Sequence, residues 1–440
     1  MADRDHHSRM SILLLFFTLL AHALHTTASV VGLKSWMQVA DNDFAGNKTR
    51  REQHAMASLS DGSVLMYGGT DVLAFTEVPY LTDAFVYSND KRGTAGGTWT
   101  KVENGPGRRC LHAMASLSDD KVLMYGGKDG RSYVSFQDAS IYEGGKWTPT
   151  RTLGKSVTDG PGRRNGHGMA QLSDGRVFMY GGQDDQYNFL NDAYIFTDGP
   201  ATKTTYRGTW TRVADGPSRR RVDHGMAPLG GGRVLIYGGT SPSGGLFNDT
   251  WIYTSPSSSL TSSDGKGGGG TGSGSKGAGG GTWTQVADGP GYRDGHAMVA
   301  ISDGRVLMYG GETHLVPVSK DTFIYTPPPS FTSSDGNGGS GSGSNGAEGG
   351  TWTRVEDGPT VRKLHAMASL SDGRVLMYGG EDDNLHVFND TWVNEPPPAP
   401  KDVCCQTKSP DYKIKCATFV DATSCDDYSK GFGDFCIWKC

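Results

Sequence analysis

Arginine and histidine recur along the chain in pairs of the form Arg-x-x-His. A guanidinium group can bind a carboxylate or a sulfated sugar through two parallel hydrogen bonds, so these arginines are candidate ligand-binding residues, with a structural role inside each repeat as the alternative. Histidine is a common metal ligand and general base. We expect histidines of different repeats to lie too far apart to share one ion, which favours hydrogen-bonded packing side chains. The six pairs are Arg51/His54, Arg109/His112, Arg164/His167, Arg221/His224, Arg293/His296 and Arg362/His365.

Acidic and histidine side chains cluster in three loops that depart from the repeat. A ligand is usually asymmetric, so a specific site on a ring of repeats should lie where the pattern is broken, and functional residues concentrate on loops. Paired carboxylates also suit Ca²⁺, and a solvated loop is the alternative interpretation. We predict these residues as ligand-binding candidates and assign no catalytic residue or resident metal. They are Asp184 and Asp185 (beside Tyr187), Glu312 and His314, and Glu381, Asp382, Asp383 and His386.

Each histidine opens a similar segment, of which HAMASLSDGRVLMYGG (His365 to Gly380) is one copy, and the histidines recur every 55 to 72 residues. The segment predicts a strand a, an Asp-Gly hairpin turn and a strand b that ends in a di-glycine. FNDTWIY and its equivalents predict strand c, and GTWTRVADGP and its equivalents predict strand d. Each repeat therefore contains four predicted strands. The strand-c aspartates are predicted to form hydrogen bonds within the repeat; they are Asp83, Asp138, Asp192, Asp249, Asp321 and Asp390.

The tryptophans of strand d suggest how the two ends of the repeat region meet. The six are Trp36, Trp99, Trp147, Trp210, Trp283 and Trp352. The first precedes every strand a, and no equivalent follows strand c of the last repeat. We therefore expect the segment KSWMQVAD to pair with the strands between Val375 and Trp392, completing the last repeat and protecting its edge.

The repeats resemble those of kelch proteins in the galactose oxidase/kelch superfamily. The resemblance rests on the di-glycines, the tyrosine before each one, the strand-d tryptophans and the Arg-x-x-His pairs, and it covers roughly Lys34 to Glu395. It implies an all-β, six-bladed β-propeller. Copper-radical oxidases of this superfamily need a cysteine-linked tyrosine, a second tyrosine and two histidines at the metal. Cys110 is the only cysteine in the repeats, so we identify no copper set and expect no cofactor.

The two ends of the chain differ in composition from the repeats. Residues 1–29 have the basic start, apolar run and small residues of a secretory signal peptide, with a membrane anchor as the alternative. Residues 396–403 are rich in proline and predict a stiff spacer. Residues 404–440 predict a small disulfide-rich module of undetermined pairing, with a zinc site as the alternative. Its cysteines are Cys404, Cys405, Cys416, Cys425, Cys436 and Cys440.

Further segments predict features of the surface. Stretches rich in glycine and serine near residues 255–281 and 327–350 predict flexible inserts between strands c and d. Sequons make Asn47, Asn248 and Asn389 candidate glycosylation sites.

The charge balance argues against one broad class of function. The 42 basic and 47 acidic residues are mixed along the chain and give a net charge of −5, without the basic footprint that nucleic acid requires. We expect a secreted, monomeric binding or scaffold protein, without a membrane span after signal removal. It would recognise a protein or glycan through the loops between strands d and a and between strands b and c. A carbohydrate-active enzyme (a copper-radical oxidase or a sialic-acid-type epimerase) and a matrix or cell-wall structural protein are the alternatives, because fold does not decide function.

Overall fold

The structure is a computed structural model that describes residues 36–39, 49–71, 80–89, 96–130, 134–152, 160–199, 206–256, 280–328 and 349–395, together with the backbone of 406–407 and 436–437. The predicted signal peptide, the Asn47 sequon, the proline-rich spacer, the side chains of the tail cysteines and the interiors of both Gly/Ser inserts lie outside these residues. No helix in the described ranges has the length and apolar character of a membrane span.

The repeats form six four-stranded antiparallel blades of an all-β propeller, with strands in the spatial order a, b, c, d. The a strands of successive blades contact one another in a closed circle, which places them around the axis. Strands a are Ala55–Ser58 (β2), Ala113–Ser116 (β6), Gly168–Gln171 (β10), Gly225–Gly230 (β14), Ala297–Ala300 (β19) and Ala366–Ser369 (β24). Strands b are Val64–Tyr67 (β3), Val122–Tyr125 (β7), Val177–Tyr180 (β11), Arg233–Tyr237 (β15), Val306–Tyr309 (β20) and Val375–Tyr378 (β25).

The outer strands complete the blades. Strands c are Ala84–Asn89 (β4), Ala139–Glu143 (β8), Ala193–Thr197 (β12), Thr250–Thr254 (β16), Thr322–Thr326 (β22) and Thr391–Asn394 (β26). Strands d are Met37–Gln38 (β1), Gly97–Lys101 (β5), Lys146–Thr152 (β9), Tyr206–Arg212 (β13), Thr282–Val286 (β17) and Thr351–Arg354 (β23). Arg293–Asp294 (β18) and Glu312–Thr313 (β21) form a short ladder of their own. Strands β9 and β13 of neighbouring blades pair in parallel at their outer edges.

Burial explains the residue patterns of the strands. The four residues before each di-glycine, such as Val64–Tyr67, are buried in every blade because neighbouring blades cover both faces of strand b. A strand covered on both faces is apolar throughout instead of alternating. Strand d lies at the outer edge and alternates, with its tryptophan partly buried and its threonines exposed, as in Thr351–Arg354. The apolar runs and the alternating runs therefore mark the inner and outer strands of each blade.

In the last repeat, the N-terminal strand lies beside the C-terminal one. Strand β1 pairs antiparallel with β26, with Met37 opposite Val393 and Gln38 opposite Trp392. The sheet order is β1-β26-β25-β24. A separate unit comprises residues 1–33 and 397–440. Its described part is one ladder between Gln406–Thr407 (β27) and Cys436–Ile437 (β28).

Strand direction gives the disc two different faces. The d–a loop leads into strand a and the b–c loop leaves strand b. Because a and b are antiparallel, both loops lie on one side of the disc, called here the DA–BC face. Isolated bridges between the two loop types, such as Glu52 with Thr70 and Lys363 with Glu381, join them on that face. The a–b turns and the c–d loops, where both Gly/Ser inserts leave the blades, lie on the opposite face.

Candidate functional site

The six repeat arginines lie inside the blades. Blades are numbered 1 to 6 in the order of their strands a. In blade 4, both terminal nitrogens of Arg221 donate to the carboxylate of Asp249 over 2.8 Å, and one also donates to the Gly238 carbonyl over 2.8 Å. Every other blade repeats the bond to the first glycine carbonyl of its di-glycine. The strand-c aspartate accepts a hydrogen bond from this arginine in every blade except blade 5, where Arg293 and Asp321 form an ion pair at 3.6 Å. The aspartates thus make the repeat-internal bonds that their spacing predicts.

Burial leaves these guanidinium groups little surface for a ligand. Each arginine is at most 2% exposed. The placement is at odds with the proposed ligand-binding role and favours the structural one, because the donors are already used within the blade. The residues concerned are Arg51, Arg109, Arg164, Arg221, Arg293 and Arg362.

The six repeat histidines point towards the axis and are also buried. Each ring packs against the tyrosine of the preceding blade, as His112 does on Tyr67 with ring centres 4.9 Å apart. Burial, with a neighbouring arginine, lowers the pKa of these imidazoles, to about 3 for His112 and His224, so they are neutral. Among the described residues, neither ring nitrogen of any of the six has a hydrogen-bond partner. The packing role agrees with the sequence prediction, but the predicted hydrogen bonds are absent.

A closed circle of backbone hydrogen bonds runs around the axis. It joins the residue immediately before each histidine, whose N–H donates to the carbonyl of its counterpart in the preceding blade over 2.8 to 3.1 Å. We call these residues the axial ring: Gln53, Leu111, Gly166, Asp223, Gly295 and Leu364. All six have φ between 54° and 62°, a strained conformation for the four that are not glycine. The six blades thus share one continuous hydrogen-bonded hoop.

The axial ring and the six histidines enclose a cavity of about 140 Å³ on the axis, called here the axial pocket. The histidines are the same in every blade, but the ring residues differ. The ring includes one carboxylate, one amide, two leucines and two glycines. The asymmetry that a specific site requires is therefore present at the axis itself.

Comparisons with known proteins agree with a propeller built from kelch repeats. No protein-family model matches the chain. An F-box/kelch-repeat protein of Arabidopsis thaliana is 25% identical over 308 residues, which are 65% of this chain and 54% of the relative. Adagio-like protein 1 of Oryza sativa subsp. japonica is 25% identical over 308 residues, which are 68% of this chain and 43% of the relative. The chain thus spans about half the length of the curated relatives it matches.

The solved structure of YjhT has a TM-score of 0.53 to this one at 12% identity, over 78% of this chain and 94% of that chain, a likeness that shows the fold alone. The chain is a kelch-repeat propeller. The sequence prediction of an all-β, six-bladed propeller built from kelch repeats is confirmed.

Asp223 is the carboxylate of the axial ring of this kelch propeller. Its ring neighbours are Gly166 and Gly295. A Cβ on Gly166 would lie 2.9 Å from Asp223 Oδ1, so the missing side chain makes room for the carboxylate. Burial and, to a smaller extent, Asp294 together raise the pKa of Asp223 to about 7, while Lys128 acts in the opposite direction. No hydrogen bond to this carboxylate occurs within the described ranges of the chain.

Four acidic residues and one lysine lie beside the pocket on the DA–BC face. Lys363 is the central cation, 2.7 Å from Glu312 and 3.7 Å from Glu381. Glu52 is 2% exposed; burial raises the pKa of its carboxyl, and so does Glu381, while Lys363 lowers it. Thr240 donates to Asp294, whose pKa burial also raises. We call Glu52, Asp294, Glu312 and Glu381 the acidic arc.

Sequence reasoning found part of this group. It selected Glu312 and Glu381 as breaks in the repeat but passed over Glu52, Asp294 and Lys363. Each of these three is the first x of an Arg-x-x-His pair, and Asp223 is the second x of another. These residues could have been found by comparing the two x positions of the Arg-x-x-His pairs between repeats, because those positions vary while the arginine and the histidine do not.

The other predicted loop residues mostly hold their own loops in shape. Asp382 accepts bonds from the N–H groups of Asn384 and His386 at 2.8 and 2.9 Å, and contacts the His386 ring at 3.1 Å. Asp184 accepts bonds from Gln186 and Asn188 in the same way. No group of three or more metal-ligating side chains suited to an ion occurs in the described ranges. The structure therefore does not bring these acidic pairs together as a Ca²⁺ site.

The remaining candidates lie apart from the axis. Asp185 is 3.5 Å from Arg163, and Asp383 accepts a bond from its neighbour Asn384. His314 packs on the ring of Tyr292, with centres 5.1 Å apart. The sequon residues Asn248 and Asn389 are half-buried, and Cys110 is a buried free thiol.

The large apolar side chains that are exposed share one location. Within the described residues, those at least about a third exposed all stand in d–a or b–c loops: Val134, Tyr187, Tyr292, Leu315, Val316 and Leu385. Leu315, at 94%, is the most exposed of them. Four of the six belong to blades 5 and 6, next to the acidic arc. We call Tyr292, Leu315, Val316 and Leu385 the apolar patch.

Proposed function

We propose that this kelch propeller is a protein-binding module whose DA–BC face receives its partner. The observation that carries the proposal is the gathering of the exposed apolar side chains on that face. Water contact with apolar groups is unfavourable, and grouped exposed apolar side chains mark interaction surfaces more often than single ones do. A relative that this chain matches is named an F-box/kelch-repeat protein, which is consistent with a kelch propeller acting as one module of a larger assembly.

The apolar patch and the acidic arc together define the partner's chemistry. Tyr292 is held by its contact with His314, so one aromatic of the patch loses little freedom on binding. Glu312 is half-exposed, and Asp383 adds a second exposed carboxylate near Leu385. Complementarity of charge and of apolar surface therefore favours a partner with apolar side chains at the centre of its binding surface and lysine or arginine beside them.

Substituting two residues of the apolar patch tests whether this surface binds the partner. We expect the double change Leu315→Ser and Leu385→Ser to remove most captured partner protein, because buried apolar contacts dominate binding energy. The two side chains are exposed, so folding should be unchanged. The measurement is quantitative mass spectrometry of proteins cross-linked to each variant in its own source extract.

A matched control alters the opposite face. Glu143→Ser and Lys146→Ser change two exposed residues at the c–d turn of blade 2. Proteins retained by the native chain and this control but lost from the patch variant would be the partners. Equal capture by all three proteins would refute the assignment of this face.

We also propose that the N-terminal strand completes the sixth blade. The ladder between β1 and β26 supports it, as do the buried side chains of Trp36 and Val39. Trp36 packs on Tyr309 of blade 5 with ring centres 5.2 Å apart, and Val39 donates its N–H to the Thr391 carbonyl over 2.9 Å.

Removing this strand should weaken the propeller. A chain that starts after Asn47 is expected to lose about 3 kcal/mol of unfolding free energy relative to one that starts at Lys34, since burying a Trp and a Val side chain is worth roughly that much. Urea unfolding followed by tryptophan fluorescence measures the difference. A chain starting at Ser35 serves as the control. Coincident unfolding curves for all three chains would count against closure by β1.

The remaining expectations stand as proposals on sequence grounds. The composition of residues 1–29 supports secretion, and the six tail cysteines support a disulfide-rich module suited to an oxidising compartment. A glycan ligand is compatible with the acidic and aromatic side chains of the DA–BC face, but the apolar patch favours protein.

A further inference from the structure

The axial pocket contains polar atoms that the protein itself does not satisfy. Buried polar groups are normally hydrogen-bonded, and leaving one unsatisfied costs free energy. Six neutral imidazoles that are 92% buried or more line the cavity, but their ring nitrogens are covered and present no surface to it. The Asp223 carboxylate, which accepts no hydrogen bond within the described ranges, is therefore the polar group of the pocket that calls for a ligand or for ordered water.

The wall of the pocket carries one carboxyl group. Asp223 lines it between two glycines, so no side chain of the ring covers its carboxylate. Gln53 stands on the opposite side of the axis, three positions away in the ring, and its amide nitrogen donates to Glu52 over 3.3 Å. The amide oxygen of Gln53 is then the group left to accept from a ligand. A carboxylate and an amide thus line the pocket from opposite sides of the axis.

The surroundings also favour a cation. The acidic arc adds four carboxyl groups beside the pocket, among which burial raises the pKa of Glu52 to about 8 and also raises that of Asp294, while Lys363 and Lys128 act in the opposite direction on Glu52 and Asp223. The nearby repeat arginines are each paired with a strand-c aspartate, so their charge is largely compensated. An anion would meet Asp223 and the arc, whereas a cation would be attracted by them.

We propose that the axial pocket binds the primary ammonium group of an unbranched alkyl chain, with Asp223 as its counter-ion. An ammonium has three N–H donors, which can bond to the two oxygens of the Asp223 carboxylate and to the Gln53 amide oxygen. Leu111 and Leu364 provide apolar contacts for the methylene groups. In a protein partner this ligand is a lysine side chain, an assignment that rests on the function proposed above.

Titration with n-butylammonium chloride tests the pocket without any partner. We expect saturable binding by isothermal calorimetry, weakened about tenfold or more by Asp223→Asn, because a charge-assisted bond is worth at least that factor. Asparagine tolerates a positive φ, so this variant should fold, which circular dichroism verifies. Asp288→Asn, an exposed carboxylate in a d–a loop, is the matched control and should bind like the native chain.

Two further ligands separate the proposed chemistry from its rivals. Butyltrimethylammonium has the same charge but no N–H donor, and 1-butanol has the chain without the charge; neither should bind detectably. Equal affinity for butyltrimethylammonium, binding of acetate in place of the amine, or an amine affinity unaltered in Asp223→Asn would each overturn the proposal. Because these titrations involve no partner, their result is independent of the capture experiment with the patch variant.

Discussion

Replacing Arg221 with alanine is expected to lower the free energy of unfolding by about 4 kcal/mol, the range observed when one member of a buried ion pair is removed. Asp249 is 3% exposed and would keep a buried charge without its counter-ion. The Gly238 carbonyl would lose its donor as well. The change therefore affects both the blade interior and the di-glycine. Urea unfolding of the full chain measures the loss.

Arg212 is the matched control for Arg221. It also makes two bonds to one carboxylate, that of Asp215, at 2.9 Å, but its side chain is 52% exposed. Arg212→Ala should cost less than about 1 kcal/mol, because water replaces the exposed partner. The double change Arg221→Met and Asp249→Leu should recover part of the loss, since no charge is then left unpaired. Similar losses for Arg221→Ala and Arg212→Ala would show that the buried pairs do not hold the blades.

Much of the fold follows directly from sequence. Asp-Gly pairs and apolar tetrapeptides such as Val64–Tyr67 indicate the a–b hairpins. The predicted two-residue turn is wrong, because the loop contains three residues, as in the first blade, where the Leu59 N–H donates to the Ser63 carbonyl and only the glycine has a positive φ. The recurrence of the di-glycine indicates the number of blades. These signals are local, each contained within one repeat, and a local pattern can be interpreted from the sequence alone.

The roles of the arginines and histidines depend on contacts that the spacing does not specify. Arg221 and Gly238 are 17 positions apart, and the sequence does not show whether the guanidinium turns inward to that carbonyl or outward to solvent. The same holds for His224, whose ring contacts Tyr180 of the preceding blade. The spacing shows that these residues occupy equivalent positions in each repeat. It does not show in which direction their side chains point.

The candidate site depends on ring closure, which brings together residues distant in sequence. Glu52 belongs to the first repeat and Glu381 to the last, yet Glu381 raises the pKa of Glu52 across the seam between blades 1 and 6. Asp223 becomes a pocket residue only because six equivalent backbone positions meet at the axis. Neither relation is visible within one repeat. A comparison of the x positions of the Arg-x-x-His pairs around a predicted ring would have drawn attention to Glu52 and Asp223.

The di-glycine is the second position where a small change should have a large effect. Gly310→Ala is expected to cost about 4 kcal/mol, the combined effect of overpacking and of a side chain at positive φ. The added Cβ would lie 2.4 Å from the Arg362 carbonyl oxygen and 2.9 Å from the His365 ring. Both belong to blade 6, and the same carbonyl accepts the Gly311 N–H over 2.9 Å. The methyl group would therefore push two blades apart where they are hydrogen-bonded.

Gly304 in the same blade separates the steric effect from the backbone effect. Its φ is +82°, close to the +71° of Gly310, but a Cβ there would meet no atom within 4 Å. Gly304→Ala should therefore cost only about 1 kcal/mol, the price of a left-handed alanine. Denaturant unfolding of both variants measures the difference, which we attribute to contact between blades 5 and 6. If both alanines cost the same, the di-glycine is required only for its backbone conformation, and close approach between blades is not what excludes other residues there.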